Sequence, residues 1–145
     1  MIFFSKTFNE LTTDELYELL KARFQIFVLE QKIMYQDMDD IDRQCLHCFF
    51  KDGDKIVACI RACYTDESKT EVKISRVLTL SHGNGLGKQL MGETIRAIKE
   101  KLPYERLIVH SQKQAVGYYK KMGFVEISDE FIQSGIPHIK MQYIE

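Results

Sequence analysis

Residues 76–91 read RVLTLSHGNGLGKQLM, an apolar run followed by Gly83, Gly85 and Gly87 and then by the start of a helical pattern. A strand that ends in glycines and opens a helix leaves backbone amides unpaired at the positive end of the helix dipole, which makes an anion site. Glycine suits such a junction because a side chain would hold the ligand off those amides, and because tight turns use positive φ. Two common phosphate loops do not fit. A Walker A loop needs glycine where His82 stands and Ser or Thr where Gln89 stands. A dinucleotide fingerprint started at Gly83 needs glycine in place of Lys88, and one started at Gly85 needs it in place of Leu90.

Upstream, Thr12-Thr13-Asp14-Glu15 has the Thr-x-x-Glu form of a capping box, so a helix is expected to begin there and to end near Glu30. Leu16, Leu19, Leu20, Arg23, Phe24 and Phe27 recur at helical spacing, an apolar stripe with Arg23 set into it. A strand is expected at 2–8 and three more at 44–51, 55–64 and 71–80, with a hairpin turn at 51–54. Downstream, Leu90, Met91, Ile95, Ile98 and Leu102 form a second stripe, Pro103 stops it, and Leu107-Ile108-Val109 makes a strand. A further helix at 112–121 leads through Gly123 to strands near 124–129 and 137–144.

The chain has 145 residues, 45% of them apolar, enough for one core, and no repeat or linker divides it, so a single domain over 1–145 is expected. A net charge of -1 without a basic run excludes a nucleic-acid footprint. No stretch approaches the apolar length of a membrane span, and the N-terminus lacks the core of a signal peptide, so a cytoplasmic protein is expected. Cys45, Cys48, Cys59 and Cys63 superficially suggest a metal or redox site. Strand periodicity sends Cys45 and Cys48 to opposite faces, so no metal is expected and the four read as free buried thiols.

The glycine junction carries the acyl-CoA signature x-x-x-Gly-x-Gly after a central strand, and here the sequence resembles the GNAT superfamily of acyl-CoA-dependent N-acyltransferases. The segment AVGYYKKMGFVE (115–126) resembles the family's next motif, an aromatic pair shortly before Gly-Phe. ARFQIFVLEQKIMYQDMDDID (22–42), HSQ (110–112) and FIQSGIPHIKM (131–141) are similar to the ElaA-like branch. The resemblance implies a mixed central sheet of about six to seven strands, helices on both faces and a splayed central strand pair. One departure is His82, where the family usually has Arg or Gln.

The resemblance also implies acetyl-CoA as co-substrate. Its pyrophosphate would be held by His82, Gly83, Asn84, Gly85, Leu86, Gly87 and Lys88, and its pantetheine would lie along Val77, Leu78 and Thr79 like an added strand. Gln112 would line its channel. The Val77 amide would hold the thioester carbonyl, and Tyr119, four residues before Gly123, stands where the family places a hydroxyl near the sulfur as general acid. Glu71 is the candidate base by position, and His138 is a second by its intrinsic pKa near 6.5. His110, ending an apolar strand, reads as structural.

The acceptor, a small molecule or peptide carrying a primary amine, would enter between the first helix with its acidic loop and the GIPH segment. Candidates to line that side are Arg23, Phe27, Tyr35, Asp37, His47 and Arg61. Arg23 and Arg61 are expected to pair either with Glu30 or with the group Asp37, Asp39, Asp40 and Asp42, and the alternative for that group is to draw in a cationic amine. A homodimer is compatible with the sequence. The alternative is a CoA-binding module of the same fold with weak or no catalysis.

Overall fold

In the computed structural model, which describes residues 1–145, the capping box closes as its spacing requires. Thr12 Oγ1 accepts from the Glu15 amide at 3.1 Å and the Glu15 carboxylate accepts from the Thr12 amide at 2.9 Å, starting helix α1 (Thr13–Arg23). Thr12→Ala removes one of these bonds, and chemical denaturation is expected to show a loss of about 1 kcal/mol. The helix continues to Glu30, but Phe24–Glu30 winds as a π-helix, a form common near functional sites. Its buried line runs through Glu15, Leu19, Ala22, Arg23 and Ile26. Phe24, expected in that stripe, is 52% exposed. Ion pairs beneath Arg23 fix the helix in this rotation.

Eight strands form one sheet in the order β1-β2-β3-β4-β5-β8-β6, with β7 also on β8. They are β1 (Ile2–Thr7), β2 (Leu46–Asp52), β3 (Lys55–Tyr64), β4 (Glu71–Thr79), β5 (Arg106–Gln112), β6 (Phe124–Glu126), β7 (Phe131–Gln133) and β8 (Ile136–Tyr143). The count exceeds six to seven because β7 is a three-residue hairpin arm that pairs Phe131 with His138. Only β4 and β5 run parallel, joined by α2 (Leu86–Lys101); the other pairs are antiparallel. The expected helix at 112–121 is a 3-10 turn at Lys113–Ala115 followed by α3 (Val116–Lys120).

Each face of the sheet buries its own apolar set. Leu90, Met91 and Ile98 of α2, with Val116 and Tyr119 of α3, cover Cys48, Ile60, Val72, Ile74 and Val109 on one face. Leu19, Ala22 and Ile26 cover Phe49, Cys59 and Leu78 on the other. Cys48 thus lies in the α2 core, while the Cys45 thiol donates to the Ile41 carbonyl at 3.1 Å on the opposite side. No helix is long and apolar enough to cross a membrane.

Candidate active site

The parallel pair β4–β5 is short: residues 71–74 meet 106–109, and no pairing follows. Along its other edge β4 holds an extra residue, since Cys59 faces Leu78 while Arg61 faces Ser75. The surplus falls at Arg76 and Val77, where Arg76 has φ 53°. A left-handed non-glycine residue costs on the order of 1–2 kcal/mol. Arg76 is held there by its guanidinium: Nε lies 2.7 Å from Asp37 Oδ1 as an ion pair without hydrogen-bond alignment, and Nη2 donates to the Asp37 carbonyl at 2.9 Å. The bulge leaves Val77 without a partner in either register. Beyond Val109, β5 pairs only with β8, so that Ser111 faces Ile139 and Gln112 faces His138. A cleft therefore opens between the ends of β4 and β5, with the Val77 backbone on one wall.

The glycine loop lies at the mouth of this cleft, between the end of β4 and the start of α2. Gly83 and Gly85 have φ 81° and 76° with open space where a Cβ would stand, so the turn itself needs them. Gly87 serves a different purpose. A Cβ there would overlap the Tyr118 hydroxyl and lie 3.3 Å from its Cζ, so Gly87 permits the close approach of α3 to α2. Asn84 Oδ1 accepts from the Leu86 amide at 3.2 Å, and the first helical bond runs from the Gln89 amide to the Gly85 carbonyl. The Gly87 and Lys88 amides thus fall in the first turn, where no helical partner exists. His82 is well exposed, 3.4 Å from the Glu30 carboxylate and 3.5 Å from the Thr79 hydroxyl.

The adjacent tyrosines separate. Tyr118 turns its hydroxyl to Gly87. Tyr119 is 7% exposed and packs edge-on against Tyr118 and Phe124, with ring centroids at 5.3 and 5.6 Å. Burial, with the neighbouring Tyr118, pushes its pKa above that of an ordinary tyrosine, so Tyr119 is protonated at neutral pH. That is the state a proton donor needs.

On the face of the sheet opposite α2, the arginines and the acidic loop close a ring. Arg23 binds Asp37 and Asp42 at 2.8 Å each, Arg61 binds Asp39 at 2.8 Å and Asp42 at 3.0 Å, and Arg76 binds Asp37 and Asp39. Burial alone would raise the Asp42 pKa, but Arg23 and Arg61 outweigh it and hold it low. Pairing, the first of the two expectations, is what the geometry shows for Arg23 and Arg61. Both are themselves buried, 2% and 5% exposed, so that what they hold in this structure is the loop. The same holds for His47, 2% exposed, whose Nε2 donates to the Asp42 carbonyl at 2.8 Å and so anchors the loop. Asp37 is consumed by Arg23 and Arg76. Phe27 packs beside the smaller core cluster, and Tyr35 is exposed, its hydroxyl 3.5 Å from where a Cβ at Gly135 would stand.

Glu71 lies at the start of β4 with Arg106 at 3.3 Å and Lys140 at 3.4 Å. Burial would raise its pKa, but these two cations prevail and keep it below the usual glutamate value. His138 is buried, with Nδ1 donating to the Ile136 carbonyl at 2.7 Å and its ring stacked on Phe131. Gln112 contacts Gln31 at 3.5 Å and Gln114, linking the end of β5 to the end of the π-helix.

His110, read from the sequence as structural, has a further feature in the fold. It directly follows Val109, the last β5 residue paired with β4, and so stands at the apex of the splay. Its Nδ1 lies 2.7 Å from Gln133 Oε1 and its ring meets Phe131 edge-on at 5.2 Å. With a carbonyl oxygen as partner, Nδ1 carries the proton and Nε2 keeps its lone pair. Burial lowers the His110 pKa, Gln133 opposes this, and Lys73, Lys140 and His138 lower it further, so the ring is neutral at pH 7. The only signal in the sequence was a histidine ending an apolar strand; Gln133, which orients it, lies on the strand that was not foreseen.

A concavity of about 550 Å³ elsewhere, lined by Thr12, Glu15, Glu18 and Lys51 among others, has a single apolar lining residue and none of the groups described above.

Comparison with known proteins places this geometry. The family model described as "Acetyltransferase (GNAT) domain" matches residues 9–145. A UPF0039 protein of Schizosaccharomyces pombe is 33% identical over 97% of this chain and 95% of its own length. The ElaA protein of Escherichia coli is 31% identical over 92% of this chain and 90% of its own. The crystal structure of E. coli ElaA superposes with a TM-score of 0.90, covering 99% of both chains at 28% identity. That of an acyl-CoA N-acyltransferase from Pseudomonas aeruginosa gives 0.89 at 31% identity, covering 99% of this chain and 100% of the other. An eight-stranded sheet splayed at β4–β5, a glycine turn opening α2 and these full-length likenesses agree: the chain belongs to the GNAT acetyltransferase family, in its ElaA-like branch.

Proposed function

We propose that the protein transfers an acetyl group from acetyl-CoA to the primary amine of a small molecule or peptide, by direct attack of the nitrogen on the thioester carbon. The observation that carries this reading is the splay of β4 from β5 with the glycine turn at its mouth. Amides of the first turn of α2 fit a pyrophosphate, and no side chain at 83 or 85 obstructs it. The related P. aeruginosa protein is named an acyl-CoA N-acyltransferase, and an aminoglycoside 6'-N-acetyltransferase of the same fold, 13% identical with a TM-score of 0.73, was crystallised with coenzyme A.

In the reaction a C–N bond forms and a C–S bond breaks. The Val77 amide donates to the thioester oxygen as it gains charge. Tyr119 gives its proton to the departing sulfur. His110 Nε2 takes the proton the amine must lose. It suits this task better than Glu71, whose charge Arg106 and Lys140 stabilise, and better than His138, which is 6% exposed and bonded through Nδ1 to the Ile136 carbonyl. Because the His110 pKa lies below 6.5, kcat at saturating acceptor should be level at neutral pH and fall only as pH drops through a midpoint under 6.5. His110→Gln should remove that inflection and lower kcat about a hundredfold. A midpoint unmoved by the substitution would assign the proton to another group.

The test of the reading is acetyl-CoA-dependent thiol release across a panel of amines. Release that depends on an amine supports transfer. Tight CoA binding with no amine-dependent release would favour the alternative, a binding module, to which the engagement of Glu71 by two cations lends its one supporting observation.

A further inference from the structure

On the face of the sheet opposite α2, four carboxylates are engaged by five cations, and a sixth cation enters no pair. Asp37, Asp39 and Asp42 are shared among Arg23, Arg61 and Arg76, and Glu71 is shared by Arg106 and Lys140. Lys73, which enters no ion pair and no side-chain hydrogen bond, lies among them on β4, half-buried, one residue before the last β4–β5 pair. Its pairing partners in the sheet are Cys63 and Ile108, neither of which offers an anion. Burial and the charges of Arg61 and Arg76 press its pKa down against the weaker opposing pull of Asp39 and Glu71, both already engaged by other cations, and its own charge in turn acts on His110. A half-buried ammonium with no carboxylate in direct contact is unfavourable, and unlike the Arg–Asp ring it is not paired within the chain.

We infer that Lys73 receives a carboxylate of the acceptor, which is therefore an amino acid or a comparably short amine that also bears a carboxylate, and not a simple cationic amine. This deepens the acetyl-transfer reading and rests on it for the word acceptor. The excess of cations at this face repels an ammonium and so favours the neutral amine that attacks, while attracting the carboxylate. Arg23, Arg61 and Arg76 engage Asp37, Asp39 and Asp42, which leaves only the exposed Asp40 of the acidic loop to draw in a cationic amine.

The test is calorimetric titration with matched pairs, amino acids against their carboxamides, from glycine to 6-aminohexanoate and including L-α-amino acids, with and without coenzyme A. The wild-type protein should bind at least one acid about tenfold or more tighter than its amide, the range for a hydrogen bond between charged groups. Lys73→Met should abolish that preference and Lys73→Arg should retain it. The inference is overturned if no acid outbinds its amide in the wild-type protein, or if the preference survives in Lys73→Met. Because this is a binding measurement, failure of thiol release would sink the transfer reading and leave the Lys73 comparison legible.

Discussion

Gly87→Val should abolish the thermal stabilisation of the protein by acetyl-CoA. A Cβ at this position overlaps the Tyr118 hydroxyl, so the side chain of Tyr118 or the whole of α3 must move away from the first turn of α2. The amides proposed to hold pyrophosphate belong to that turn, and the added methyl groups would also keep a ligand away from them. Gly85→Val should act as strongly through the backbone, because φ 76° is costly for a β-branched residue. At a hundred times its Kd a ligand stabilises the native state by about 2.7 kcal/mol, and both variants should lose this gain entirely. A local cause is separated from general unfolding by the double variant Gly87→Ala/Tyr118→Ala, which removes the overlap and should regain part of the response. Unchanged stabilisation in Gly85→Val and Gly87→Val would place the cofactor elsewhere.

Tyr119→Phe should lower kcat by tenfold to a thousandfold while acetyl-CoA affinity stays within about twofold. The ring packs against Tyr118 and Phe124, and phenylalanine preserves those contacts, so the fold and the cleft wall are kept. What is lost is a hydroxyl that burial keeps protonated. Without it, the thiolate must leave unassisted or take its proton from water. Tyr118→Phe is the internal control, since that hydroxyl lies against Gly87 and serves the packing of α3 on α2. Wild-type turnover in Tyr119→Phe, under conditions where chemistry limits the rate, would remove the residue from the mechanism.

What could be read in advance divides along the length scale of the forces involved. The capping box at Thr12, the stripe of α2 and the glycine turn are local patterns, and each formed where its spacing put it. The three glycines could be read as a turn, but not their division of labour, because the demand on Gly87 comes from Tyr118, distant in sequence. Arg23 and Arg61 showed in the sequence as charges among apolar residues, with Glu30 or the loop aspartates as expected partners; the aspartates fill that role, and Glu30 faces His82 instead. That Arg76 would join the two arginines, and hold a bulge at positive φ, was not foreseen, since nothing local marks it. His110 was read only as structural and Lys73 was not singled out, for the same reason. Their surroundings are assembled by β7, β8 and the neighbouring β3, and a strand of three residues carries too little periodicity to be read.

The central claim is direct transfer from acetyl-CoA to an amine within one ternary complex. The most direct measurement is a single turnover with isotopically labelled acetyl-CoA and an accepted amine, following the label by mass spectrometry on the protein and on the small molecules. The account predicts label passing to the amine nitrogen in equal amount to the thiol released, with the mass of the protein unchanged throughout. Label retained on the protein, or label that never leaves coenzyme A with any amine while the cofactor stays bound, would contradict it.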